Sequence, residues 1–116
     1  MSVEEFYIAV GGDYKTALSR MMNDDFIKRM LGKFVMNNGY NSLIEAYEAN
    51  DIPNVFSAAH SLKGVAGNLA LNKLFEVASV LCEATRGKET AEITNEVAKL
   101  KNEYNVFEKA YNELVR

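Results

Sequence analysis

Apolar residues recur in steps of three and four along almost the whole chain, and that period admits one class of fold. Such steps place side chains on one face of an α-helix, whereas a strand needs alternation in twos. Few residues interrupt the pattern, and the single proline is Pro53. Ser2-Val3-Glu4-Glu5 has the form of a capping box, opening a short helix that carries Phe6 and Ile8 and stops at Gly11-Gly12. Asp13 suits the cap of a second short helix with Tyr14, Ala17, Leu18 and Met21. Asn23 or Asp24 then caps a long helix whose stripe reads Phe26, Met30, Phe34, Tyr40, Leu43, Ile44 and Tyr47. Asn37-Asn38-Gly39 would ordinarily mark a turn, but the stripe keeps its phase across it, so one long helix, straight or kinked, is expected there.

Asn50-Asp51-Ile52-Pro53 is the clearest boundary, with Asp51 as N-cap and Pro53 in the first turn, where its missing N–H is not needed. The helix after it is expected from Ile52 to about Ala70. Asn72 suits the cap of the next, through Leu74, Phe75, Ala78, Leu81 and Ala84 to Arg86-Gly87. A last helix from about Glu89 carries Ile93, Val97, Leu100, Tyr104, Phe107, Tyr111 and Leu114. The expected architecture is all-α: an up-down-up-down four-helix bundle over 23–115, preceded by short helices within 2–21, in a single domain over 1–116.

Composition narrows the function. The formal charge is −3, without the basic surplus that a nucleic-acid-binding surface carries. One cysteine, Cys82, excludes an internal disulfide, and with one histidine a His/Cys zinc site is nearly excluded too. No apolar run approaches the roughly 20 residues of a membrane span, and Met1–Glu5 lacks the basic and apolar regions of a secretory signal. The chain is therefore expected in the cytoplasm, bound to neither membrane nor nucleic acid. Its own Met1 and a full bundle's worth of helices favour a free-standing protein. Cys82 reads as a packed thiol, Met21, Met22, Met30 and Met36 as core or core rim, and Glu45, Glu48, Glu92, Glu96 and Lys99 as solvated.

The segment Val55–Leu69 is the most informative. Wound at about 100° per residue, Val55, Ala58, Ala59, Leu62, Val65, Ala66 and Leu69 fall in one core-facing arc. His60, the only histidine, falls nearly opposite, with Lys63, Gly64 and Gly67 around it and Phe56 one turn before. A lone exposed histidine on a helix usually does nothing, and two glycines are as readily explained by a close helix crossing. Together the residues suggest more. Each glycine costs a helix about 0.5–1 kcal/mol relative to alanine, and a surface without Cβ atoms beside an imidazole lets another protein approach the ring. Neutral imidazole, with an unperturbed pKa of about 6.5, is a competent nucleophile. An ammonium at i+3 is placed to support phosphoryl oxygens.

Ala59-His60-Ser61-Leu62-Lys63-Gly64-Val65-Ala66-Gly67-Asn68-Leu69 closely resembles the signature of histidine-containing phosphotransfer (HPt) domains of bacterial phosphorelays. The Phe26…Phe34…Leu43…Asp51 spacing upstream and Leu81–Gly87 downstream look similar to the family as well. The resemblance implies that His60 is phosphorylated, that Lys63 stabilises the phosphoryl group, and that Gly64 and Gly67 give a partner clearance; Phe56, by its place one turn before His60, is a candidate docking contact or a rim residue of the core. It also implies a four-helix bundle that is a phosphocarrier rather than an enzyme, with no ATP-binding segment and no cofactor or metal of its own. The implied partners are response-regulator receiver domains, which would supply Mg²⁺, and a hybrid sensor histidine kinase; monomer is the family's default. Ala70 departs from the pattern, since the family usually has glycine there, at the helix end. Two other readings compete: a helical module that docks receiver or kinase domains without carrying phosphate, and an enzyme using His60 as general base. The second lacks an orienting acid, because the i±3 and i±4 neighbours of His60 are Phe56, Ser57, Lys63 and Gly64.

Overall fold

A computed structural model describes all residues, 1–116, and the expected all-α character holds. Seven helices follow one another: α1 (Val3–Ala9), α2 (Tyr14–Met21), α3 (Asp24–Asn37), α4 (Tyr40–Glu48), α5 (Ile52–Asn68), α6 (Asn72–Thr85) and α7 (Thr94–Val115). The N-terminal stops and starts are chemical. Ser2 and Glu5 form the reciprocal capping box, and Asp13 and Asn23 accept the N–H groups of Thr16 and Phe26. Gly87, with φ of +67°, follows the end of α6 as the Arg86-Gly87 signal implied.

The long helix expected across Asn37–Gly39 is two helices. Gly39 takes φ of +80°, a left-handed conformation that ends α3, and Asn38 turns into the interior. Its side-chain oxygen accepts the Tyr40 N–H (2.7 Å) and its amide donates to the Tyr104 hydroxyl, while the Tyr40 and Tyr104 rings stack 3.8 Å apart. Apolar phase survives because the break rejoins the same core, so the stripe could not reveal it.

Other expectations shift by a position or a turn. The buried residues of α3 are Ile27, Leu31 and Phe34, whereas Phe26 and Met30 are half-buried at the rim. Met22 and Met36 are exposed rather than core, and Val65 also faces solvent. Asn72 does not cap α6, whose N-cap position is Leu71 without a side-chain bond. Leu71 is buried, so packing sets this start. The last helix begins at Thr94, five residues beyond Glu89, with Ile93 anchoring its entry in the core.

Thirty buried apolar residues form one cluster, in which Phe6 and Phe34 meet Phe107 edge-on, with centroids 5.9 and 5.2 Å away. α5 packs most extensively on α6 and next on α4; α6 also packs on α7, and α7 on α1.

The end of α5 is where the N-terminal helices matter. Ala70 adopts φ of +57° as the left-handed residue of a Schellman motif, donating to Gly67 O while Leu71 N–H reaches Ala66 O. The Tyr7 hydroxyl donates to Leu69 O (2.7 Å), Asp13 N–H to Ala70 O (2.9 Å), and Arg20 to the carbonyls of Gly67 and Asn68. Each carbonyl from Ala66 to Ala70 therefore has a donor, although the left-handed position is held by alanine rather than glycine.

Candidate functional site

α5 is opened by Asp51, whose carboxylate accepts the Asn54 N–H, with Pro53 in the first turn. Val55, Ala59, Leu62 and Ala66 are buried, which fixes the rotation of the helix. His60 is consequently on the exposed side. Phe56, one turn earlier, is half-buried, and its ring lies 6.0 Å from the imidazole at an interplanar angle of 23°. Lys63, one turn later, is half-buried.

The two glycines differ. A Cβ at Gly64 would meet nothing within 4 Å, so the surface beside His60 is open. A Cβ at Gly67 would lie 3.1 and 3.3 Å from the Phe75 ring of α6. Gly67 is therefore not bare in the way Gly64 is; its missing side chain makes room for Phe75. A helical projection cannot separate these cases, because it does not say which neighbour stands beside each position.

Two residues of α6 that reach the neighbours of His60 were not read as site residues in the sequence. Glu83 and Arg86 end α6, and both the Nε and Nη2 of Arg86 donate to Glu83 Oε1, at 3.2 and 2.9 Å. The Arg86 guanidinium carbon lies 5.1 Å from the centre of the Phe56 ring, in a cation–π contact. Arg86's hydrogen bonds and charge hold the Glu83 carboxyl below the usual carboxylate range, with a smaller pull from Lys63. In the sequence Arg86 reads as an ordinary cation at a helix end, and nothing local links it to α5.

No carboxylate pairs with His60, and no three His, Cys, Asp or Glu side chains lie together to hold a metal ion. The largest groove, about 540 Å³ between α4 and α5, is lined by polar residues including Glu45, Asp51, Ser57 and Ser61, and His60 is not among its walls. The arrangement offers an accessible imidazole with a lysine one turn later, open helix at Gly64, and a guanidinium resting on the adjacent Phe56 ring. That suits reaction with an anionic group presented by another macromolecule better than capture of a small substrate in a pocket.

A family model, described as the Hpt domain, matches residues 36–110, which include α4 to α6, most of α7 and every residue of the site. No curated protein and no solved structure matches the chain.

Proposed function

The chain belongs to the Hpt domain family, and from that premise we propose that His60 takes a phosphoryl group from a receiver-domain aspartate and passes it to another receiver. The observation that carries this reading is the position of the family's motif histidine: exposed, opposite the buried face of α5, with open space at Gly64. A neutral imidazole nitrogen attacks the phosphorus in line, the P–O bond to the aspartate breaks, and the carboxylate leaves with the bonding pair. The reverse sequence delivers the group onward. Such transfer depends on positioning and on charge neutralisation. Lys63 supplies the nearest cation on α5, Gly64 the clearance, and Phe56 an apolar contact at the edge of the face. Mg²⁺ would sit in the receiver's acidic pocket, and no ATP is used.

In this reading α3 with α4, then α5, α6 and α7 make the four limbs of an up-down-up-down bundle. The carrier acts as a monomer in the cytoplasm and receives its phosphoryl group from a hybrid sensor histidine kinase by way of a receiver. No helix of the chain is long and apolar enough to cross a membrane. The test is to incubate the purified chain with a phosphorylated receiver domain and follow the label. Label should move to the parent chain and not to His60→Gln. Equal labelling of both, or of neither by any receiver of the same organism, would refute the proposal.

A further inference from the structure

The Glu83–Arg86 pair reaches Phe56, the ring that stacks on the acceptor imidazole, without a structural task that requires it. Both side chains are well exposed, 63% and 52% respectively, and exposed pairs of this kind contribute little to stability. Arg86 is nevertheless held in a defined place. Its guanidinium rests on Phe56, and Phe56 in turn stacks on His60. The two contacts put the guanidinium carbon no more than about 11 Å from the imidazole centre, close to the Debye length of roughly 10 Å at about 0.1 M salt. Glu83 also draws on Lys63, the other cation of the site.

We propose that Glu83 is a placeholder anion, which keeps the Arg86 guanidinium beside the Phe56–His60 stack until a phosphoryl group on His60 takes that cation over. The inference rests on the phosphocarrier reading above and names residues that tune the same site. A phosphoryl group brings a charge near −2 and several strong acceptor oxygens. A guanidinium binds such oxygens in a bidentate manner, as it does a carboxylate, and more strongly the greater the anion's charge. Glu83 therefore loses Arg86 when His60 is loaded and regains it when the group leaves. The carboxylate keeps the cation in place without a covalent or backbone change, and it opposes the loaded state. Glu83 and Arg86 are positioning residues on this view.

The experiment loads the full chain with phosphoramidate, whose P–N bond breaks as the imidazole–phosphorus bond forms and ammonia leaves. Phosphohistidine is followed by ³¹P NMR and the arginine Nε–H groups by ¹H–¹⁵N spectra. Loading should shift the Arg86 resonance in the parent and leave it unmoved in His60→Gln. Glu83→Gln should lengthen the phosphohistidine half-life by roughly two- to fivefold, the size of one exposed charge contact. Arg86→Ala should shorten it comparably, with Arg86→Lys recovering part, and thermal melts of all variants should match the parent. Phosphohistidine that forms with the same lifetime in parent and Glu83→Gln, and with no movement of Arg86, overturns the inference and leaves the phosphocarrier reading standing. If neither phosphoramidate nor a phosphorylated receiver loads the parent, both fall.

Discussion

The middle and the end of α5 are opposite solutions on one helix. Around His60 the helix is bare: the imidazole is exposed, Gly64 has open space, and the neighbouring polar contacts run between exposed side chains. Ten residues later, the carbonyls are held by Tyr7, Asp13 and Arg20, and Ala70 is buried in a left-handed conformation. The exposed histidine stands where the fold makes few demands, and the tertiary hydrogen bonds gather at the end of the helix. The tethering residues lie outside the segment that matches the family, and through these bonds the N-terminal helices support the end of α5.

The contrast is open to experiment, and the largest effect belongs to the tethered end. Tyr7→Phe leaves the buried Leu69 carbonyl without its donor and should cost about 1–3 kcal/mol, read by urea denaturation, with phosphoryl acceptance unchanged. A loss of acceptance without loss of stability would break the division between the two regions. The same tyrosine gives the fold an alkaline limit. Burial raises the pKa of Tyr7, and burial is also the leading cause of the upward shifts of Tyr40 and Tyr104. A raised folded value contributes stability that is complete below the unfolded tyrosine pKa of about 10 and declines as pH rises beyond it. Stability should therefore be flat between pH 7 and 9 and fall above pH of about 10, with a shallower fall in Tyr7→Phe.

The glycines give a smaller and sharper comparison. Gly64→Ala should stabilise the chain by about 0.5–1 kcal/mol, because the helix gains propensity and the Cβ meets nothing, while it slows transfer from a receiver. Gly67→Ala should forgo that gain, since Phe75 has to move by a few tenths of an ångström. Equal melting temperatures for the two variants would erase the distinction. The smallest effect is expected at Ala70. Replacing it with glycine relieves a left-handed strain of about 1–2 kcal/mol. It also adds about 0.5–1 kcal/mol of chain entropy cost and removes a buried methyl worth about 0.8 kcal/mol. Denaturation should therefore place Ala70→Gly within about 0.8 kcal/mol of the parent and near zero at the middle of these ranges, the terms nearly cancelling.

Period and caps were enough to determine the helical class, most of the helix boundaries, and the face of α5 on which His60 lies, because each depends on contacts within a turn or two of chain. The motif around His60 was legible for the same reason. Asn37–Gly39 was not, since a helix broken there rejoins the same core and leaves the apolar phase intact. The surroundings of Gly64 and Gly67 differ because of Phe75, a residue on another helix. Glu83 and Arg86 joined the site only because α6 packs along α5, and Ala70 could stand in for glycine only because Tyr7, Asp13 and Arg20 come from far away in the chain to hold its turn. Local periodicity fixes which way a side chain points; what it meets there is set by long-range packing, which only the folded chain contains.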